Sequence, residues 1–354
     1  MTKFIIGPLK SGHIQRWFKN YQPVASEKLY VFTVHNRPWN VFGSQLKVVD
    51  CGLTNTRFDF IFLYVAVFFY SLLLRPKVTS VHFISSYGLS VLGLCSKKIL
   101  LSGWGSDVNK LKLNKISHKI YSRVLKRVDW INVPSNSLAL KLQSISKESL
   151  NGKLHIFQYG VDYRTLDKKN IVFKPKTVKF LSNRNWQGLY NIDLILLAFN
   201  KFLNDNDISA ELHLYGSGTK DEQHKINEII SDFSESVKKC VVVHGFINHG
   251  EMLLDMKEYD VFISIPQMDG LPLSLLEAMY IGLLPVVNNL PVYQDLLNSK
   301  NAIFIVANEV DPLARAFYQA IKFISDFDPV VNRNKVISEA DFDKNTSIFL
   351  KEFL

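Results

Sequence analysis

The stretch QMDGLPLSLLEAMYIGLLPVV, Gln267 to Val287, sets two acidic residues eight positions apart in otherwise apolar surroundings. Asp269 precedes a Gly-Leu-Pro turn, and Glu277 stands inside LSLLEAM, a run with the composition of a core. DVFISI leads into the stretch and LLPVV closes it, so the order reads strand, loop, helix, strand. Pro272 suits the first helical position, Gly270 the tight turn ahead of it, and Gly282 the helix stop. Asp269 then falls in a loop beyond the C-terminal end of a strand, where open parallel sheets bind ligands. Glu277 falls about 7–8 Å along the helix axis from Pro272, at ~1.5 Å per residue. The free N–H groups of the helix start lie between the two carboxylates, and with the positive end of the helix dipole they favour a phosphate. Blander readings stand beside this one. Asp269 can be an ordinary loop acid or cap, and Glu277 an edge residue turned to water or paired with a local Lys.

Outward from this stretch, short apolar runs alternate with helical patterns, the signature of parallel α/β sheets. KFIIG (Lys3 to Gly7), LYVFTV (Leu29 to Val34), QLKVVD (Gln45 to Asp50), SVHFIS (Ser80 to Ser85) and WINVPS (Trp130 to Ser135) read as strands, with others in KKILLSGWG and KLHIFQYGVD. A second series begins at VKFLSNR (Val178 to Arg184) and runs through AELHLYGSG, CVVVHGF, DVFISI and PVVNN. YNIDLILLAFNKFL and DEQHKINEIISDFSESVKK are helices within it. A chain of 354 residues is too long for one ordinary core. Two domains are expected, 1–165 and 166–335, joined by a polar linker around Asp162 to Lys176. A terminal segment, 336–354, is expected to be helical and to pack back on the first domain.

Hydrophobic residues make up 47% and charged residues 21% of the chain, a globular balance. Cys51, Cys95 and Cys240 lie far apart with no metal or disulfide spacing, which points to a reducing compartment. MTKFIIGPLK reads as a strand and turn rather than a secretory leader. The net charge of +10 is uneven: residues 1–165 hold 23 Lys and Arg against 7 Asp and Glu, so the remainder is net acidic. Such a basic half suits nucleic acid, an anionic membrane or a phosphorylated substrate. Phe60 to Leu74 is a run of 15 uncharged residues, too short for the roughly 20 a spanning helix needs. It reads as a buried or half-buried helix, or as one that also dips into a membrane surface. Lys110 to Arg127 carries seven Lys and Arg and no acid, with apolar residues such as Leu111, Leu113, Ile116, Ile120 and Val124 at intervals. It reads as an amphipathic helix facing anionic headgroups or simply water. No single-strand or helix-turn-helix signal accompanies it, so nucleic acid is not expected.

A nucleotide sugar is a diphosphate with sugar hydroxyls at one end and a ribose at the other. Two carboxylates flanking an amide-rich helix start match that ligand. Asp269-Gly270-Leu271-Pro272, Glu277-Ala278-Met279, Gly282 and Pro285-Val286-Val287 resemble the E-x7-E region of retaining GT-B glycosyltransferases, especially family 4. Asp replaces the first Glu. The resemblance continues in YDVFIS, VVVHGFINHGEML, Tyr215-Gly216-Ser217-Gly218, Tyr159-Gly160-Val161-Asp162, Val133-Pro134-Ser135 and Ser102-Gly103-Trp104-Gly105-Ser106-Asp107, the last similar to members acting on bacterial polysaccharides.

The resemblance implies two Rossmann-like domains with parallel sheets facing a central cleft. It implies transfer of a hexose from a nucleotide-diphosphate donor to a glycan acceptor, lipid-linked, with retention, in surface polysaccharide (O-antigen or capsule) synthesis. Asp269 would bind donor-sugar hydroxyls, Arg184 the diphosphate and Glu277 the ribose. Phe246 would flank the base, and Gly216, Gly270, Leu271 and Pro272 would line the donor site. Gly12 would let backbone amides approach a phosphate or the acceptor. The family's second cation falls near Tyr190 and is absent. Trp104 occupies the place of an acid/base His, and Asp107 stands in as an acceptor-side carboxylate or caps a helix. His82 reads as a strand histidine rather than a base. No cofactor and no divalent metal are expected. The expected setting is cytoplasmic, peripheral on the anionic inner face of the membrane. A sugar-nucleotide epimerase, or a binding protein for glycan or nucleic acid that kept the fold, are the alternatives.

Overall fold

A computed structural model describes residues 1–35, 46–54, 56–111, 114–166, 168 and 176–354. Gln45, Leu113 and most of the expected linker therefore lie outside the described residues. The chain divides into two compact units: Met1–Tyr159 with Phe342–Leu354, and Gly160–Asp341.

Unit 1 begins with β1 (Thr2–Ile6), α1 (Gly12–Trp17), β2 (Lys28–Thr33), β3 (Leu46–Asp50) and α2 (Asp59–Leu74). It continues with β4 (Val78–His82), β5 (Lys98–Ser102), α3 (Ser106–Asn109), α4 (Lys115–Arg127), β6 (Trp130–Val133), α5 (Asn136–Ile145) and β7 (Leu154–Ile156). Unit 2 contains β8 (Val178–Ser182), α6 (Ile192–Asp205), β9 (Ala210–Tyr215), α7 (Lys220–Ser231), α8 (Glu235–Lys238), β10 (Val241–Gly245) and α9 (His249–Met256). Then come β11 (Val261–Ser264), α10 (Leu273–Ile281), β12 (Leu284–Asn288), β13 (Ile303–Ile305), α11 (Val310–Phe323) and α12 (Pro329–Glu339). The final helix, α13 (Phe342–Phe353), returns to unit 1.

Among the described residues, the first sheet runs β3-β2-β1-β4-β5-β6-β7 and the second β10-β9-β8-β11-β12-β13. Every pairing is parallel. Both units are thus doubly wound, with strand order reversing at β1/β4 and at β8/β11. The central strands are buried on both faces, which is why they read as continuous apolar runs.

In unit 1 the cores of α2, α4 and α5 pack together on one face of the sheet through Leu63, Val67, Val124, Leu125 and Leu142. On α13, Phe349 stacks on Trp17 at 4.6 Å and Phe353 meets Phe18 edge-on at 4.9 Å. In unit 2, Phe180, Phe199, Phe202 and Phe317 form one core cluster, and α10 packs into another with Met256, Phe262 and Tyr293.

Three differences from the sequence reading have local causes. The helix expected over DEQHKINEIISDFSESVKK breaks after Ser231, because Phe233 turns inward and Ser234 caps the next turn by accepting from the Val237 amide. Pro272 is the N-cap of α10 and not its first helical residue. The first unit ends at Tyr159, earlier than the expected 165, and α12 stays with unit 2 while only α13 returns.

Candidate active site

Strands β8 and β11 are neighbours at the point where the second sheet reverses, so the loops that follow them are brought together. Arg184 leaves the first loop and Asp269 the second. Hydrogen bonds from Asn191 Nδ2 to the Ile265 carbonyl (2.7 Å) and from the Gln267 amide to the Leu189 carbonyl (2.9 Å) tie the loops to each other. Arg184 Nη2 donates to Asp269 Oδ2 at 2.9 Å, and Nη1 to Ser274 Oγ, on the first turn of α10, at 3.1 Å. Its guanidinium lies over the Tyr190 ring, 4.5 Å from the centroid. Tyr190 therefore backs the one cation instead of supplying a second.

Asp269 also accepts from the Tyr293 hydroxyl (3.0 Å) and from the Gly270 amide (2.8 Å). Burial, reinforced by the Asp269 charge, raises the Tyr293 phenol well above its ordinary pKa, so it stays a donor. The sequence assigned Asp269 and Arg184 to separate parts of a ligand. The structure joins them as one nearly buried, charge-assisted pair, its carboxylate fixed by three donors.

The turn between Asp269 and α10 is conformationally unusual. Leu271 has φ +65°, a left-handed conformation that costs a bulky L-residue about 1–2 kcal/mol. Its side chain is buried against the core of α10, which holds it there. Pro272 then opens the helix, and no side chain caps the start. Glu277 is 3% exposed, since α10 is buried on all sides. The reading of Glu277 as a water-facing edge residue is thereby overturned. Its Oε1 lies 2.8 Å from His249 Nε2, at the first residue of α9, which is itself half-exposed.

Gly216 directly follows β9 at φ +119°, and a Cβ there would stand 2.5 Å from the Arg184 carbonyl oxygen. Its amide donates to the Gly245 carbonyl at 2.8 Å, aligning the ends of β9 and β10. Phe246, directly after β10, is 75% exposed, a bare aromatic face at the same end of the sheet.

The remaining candidates lie in unit 1. Gly12 opens α1, and a Cβ there would meet nothing within 4 Å, so no protein neighbour requires glycine. Asp107 is buried and accepts from the amides of Trp104 (2.8 Å), Gly105 (3.0 Å) and Ile84 (2.6 Å). Its oxygens clamp the main chain ahead of α3, while the helix start itself has no side-chain cap. Burial, set against these hydrogen bonds, raises the pKa of Asp107. His82 is buried, bonded to Ser80 Oγ at 3.0 Å and stacked on Trp104, as a strand histidine. The sequence reading missed His249, Ser274 and Tyr293. Only the place of His249 in the loop after a strand hinted at a role.

Asp-x-Asp triplets do occur, at Asp205/Asp207, Asp326/Asp328 and Asp341/Asp343. Among the described residues no group of three or more His, Cys, Asp or Glu is arranged to hold a metal.

Two Rossmann-like units with this site at the reversal of the second sheet have the architecture of GT-B glycosyltransferases. Residues 164–324 match the family model described as "Glycosyl transferases group 1", a span that lies within unit 2. Sucrose-phosphate synthase from Thermosynechococcus elongatus superposes with a TM-score of 0.77 at 11% identity, over 99% of this chain and 98% of that one. Anabaena HepE in complex with UDP and glucose gives 0.72 at 10%, over 99% and 98%. The lipopolysaccharide outer core galactosyltransferase WaaB gives 0.68 at 15%, over 99% of each. At these identities the likeness is one of fold. No curated protein matches the sequence.

Proposed function

We propose that the protein is a glycosyltransferase that moves a hexose from a nucleotide-diphosphate sugar to a lipid-linked glycan acceptor in surface polysaccharide synthesis, with retention. The observation that carries the reading is the Arg184–Asp269 pair, placed beside the uncapped start of α10 with Glu277 buried further along the same helix. In this reading the diphosphate lies against the start of α10 and Arg184, where amides and a fixed cation stabilise the charge that develops on the leaving group. Asp269 holds the sugar hydroxyls and opposes the positive charge growing at the anomeric carbon. Glu277 takes the ribose, and Phe246 stacks against the base. The departing diphosphate oxygen accepts the acceptor's proton on the face it leaves, so positioning supplies most of the catalysis. Gly12, in unit 1, is assigned to the approach of backbone amides to the donor phosphate or the acceptor. No cofactor or metal is given a role. The setting is the anionic inner face of the cell membrane, where a lipid-linked acceptor resides.

The test is a panel of nucleotide sugars, read by hydrolysis and by thermal stabilisation. One donor is expected to be cleaved slowly without acceptor and to raise the Tm. A panel in which nothing is bound or cleaved, while free oligonucleotides bind with a steep salt dependence, would transfer the reading to a binding protein.

His249 supports Glu277 in this scheme. A His249→Ala change is expected to raise the donor KM about 10–100-fold with kcat nearly unchanged, since a hydrogen bond to a charged group is worth about 1.5–3 kcal/mol. His249→Gln, which can still donate, should restore most of the affinity. A kcat loss with unchanged KM would place His249 in the chemical step instead.

A further inference from the structure

Helix α2 leaves a long apolar surface uncovered. Leu63, Val67 and Ser71 face the core, while Ile61, Phe62, Val65, Phe69, Leu72 and Leu73 are exposed, Leu73 at 78%. At about 100° per residue these six share one side of the helix, opposite the buried set. Soluble proteins rarely leave so continuous an apolar stripe unless something docks on it.

Helix α4 lies on the same face of the sheet. The 3-10 turn Tyr87–Gly93 and the residues before it sit between the two helices. The Tyr64 hydroxyl on α2 donates to the Ser86 carbonyl (3.0 Å), and the Tyr121 hydroxyl on α4 to the Ser85 carbonyl (2.8 Å). Arg127 Nη1 donates to the Leu92 carbonyl at 2.8 Å. Since both helices bury their inner sides in one core cluster, their outer sides face away from the sheet together. The outer side of α4 presents Lys115, Lys119, Arg123 and Lys126, and the helix contains no acid. Lys119, Arg123, Lys126 and Lys147 line an open pocket with Glu148, where four cations face one carboxylate.

We propose that unit 1 docks on an anionic lipid bilayer through this face. Helix α2 lies in the interface plane with its stripe among the acyl chains, and α4 with its pocket rests on lipid phosphates. This gives the membrane setting proposed above a specific surface and does not depend on the sugar-transfer step. Three observations favour a bilayer over a protein partner. The stripe carries no charge for a full four turns and adjoins a one-sign basic surface, as interfacial helices do. Unit 1 holds 24 Lys and Arg against 8 Asp and Glu, a net charge of +16, so the attraction extends beyond the helix. The 16 residues of α2 reach about 24 Å, short of the ~30 Å hydrocarbon core, and among the described residues no helix is long and apolar enough to cross. The helix is also tied down: Asp59 at its start accepts from Thr54 Oγ1 at 2.7 Å, and Ser71 Oγ accepts from the Cys95 amide at 3.0 Å.

The test is flotation of the full chain with vesicles of phosphatidylcholine alone or mixed with phosphatidylglycerol, at low and high salt. A Phe69→Trp variant read with brominated lipids reports insertion. Binding to the anionic vesicles, weakened by salt, is expected together with quenching of the new Trp. Phe62→Ser/Phe69→Ser/Leu73→Ser should weaken binding at least about tenfold and abolish partitioning into the interface. Lys119→Glu/Arg123→Glu should remove the anionic preference, also by at least about tenfold. Donor hydrolysis without acceptor should be unchanged in both variants, so a failure here and a failure of the transferase reading are told apart. Unimpaired binding by the triple serine variant, or an unquenched Trp, overturns the proposal. So does a dimeric chain that the same three substitutions turn monomeric, which would assign the stripe to a second copy.

Discussion

An Asp269→Asn variant is expected to lose about two to three orders of magnitude in turnover of its nucleotide sugar while remaining folded. The substitution keeps the shape of the side chain, and its amide oxygen can still accept from Tyr293 or the Gly270 amide. What disappears is a negative charge at the loop where the sheet reverses. In a nearly buried site that charge acts at low effective dielectric, so it counts most when positive charge develops on the sugar. The Arg184 guanidinium loses its ionic partner as well, and a drop in stability of about 1–3 kcal/mol should accompany the change. Arg184 and Asp269 are in direct contact, so their effects are not additive. The double variant Arg184→Gln/Asp269→Asn should be little worse than either single variant in steady-state turnover. Full turnover by Asp269→Asn would remove the carboxylate from the chemistry altogether.

Gly216→Ala is expected to be nearly as damaging through a different physical route. A methyl group at this position would meet the Arg184 carbonyl oxygen at 2.5 Å, and φ +119° is a conformation that L-residues rarely adopt. Relief requires moving either the end of β9 or the main chain that carries Arg184. We expect a loss of about 3 kcal/mol or more in stability from combined clash and strain. Donor affinity should fall too, because the residue pushed aside is Arg184, which the proposed function sets against the diphosphate. Denaturant unfolding with the midpoint and slope of the unsubstituted chain would show that the loop relaxes freely. For stability alone, Gly12→Ala is the control, since a Cβ there meets nothing within 4 Å.

Much of the fold can be read in the sequence because parallel strands buried on both faces announce themselves as short apolar runs. Elements with little of that pattern escaped. β13 is only three residues long, Ile303–Ile305, and α11, though amphipathic, follows a stretch with no strong punctuation. The site was legible where one segment carries it: Asp269 and Glu277 are eight residues apart, and both are placed by one loop and one helix. It was not legible where partners are distant in sequence. The Arg184–Asp269 pair spans 85 positions, and the His249–Glu277 contact spans 28. Tyr293, 24 residues beyond Asp269, lies in a stretch with no periodic signal. The main-chain contacts of Asp107 were hidden for a related reason. A carboxylate beside glycines suggests chemistry, whereas three converging amides only become visible once strands β4 and β5 are paired.

The placement of α13 has a consequence for biosynthesis. The aromatic rings of Trp17 and Phe18 are made well before the rings that cover them, Phe349 and Phe353, with 349 − 17 = 332 positions between the stacked pair Trp17 and Phe349. The ribosome must deliver all of residues 160–341 before that hydrophobic patch can be closed. Meanwhile the nascent first sheet carries an open, sticky surface, so a stalled or prematurely stopped chain would leave behind a species suited to chaperone capture or aggregation.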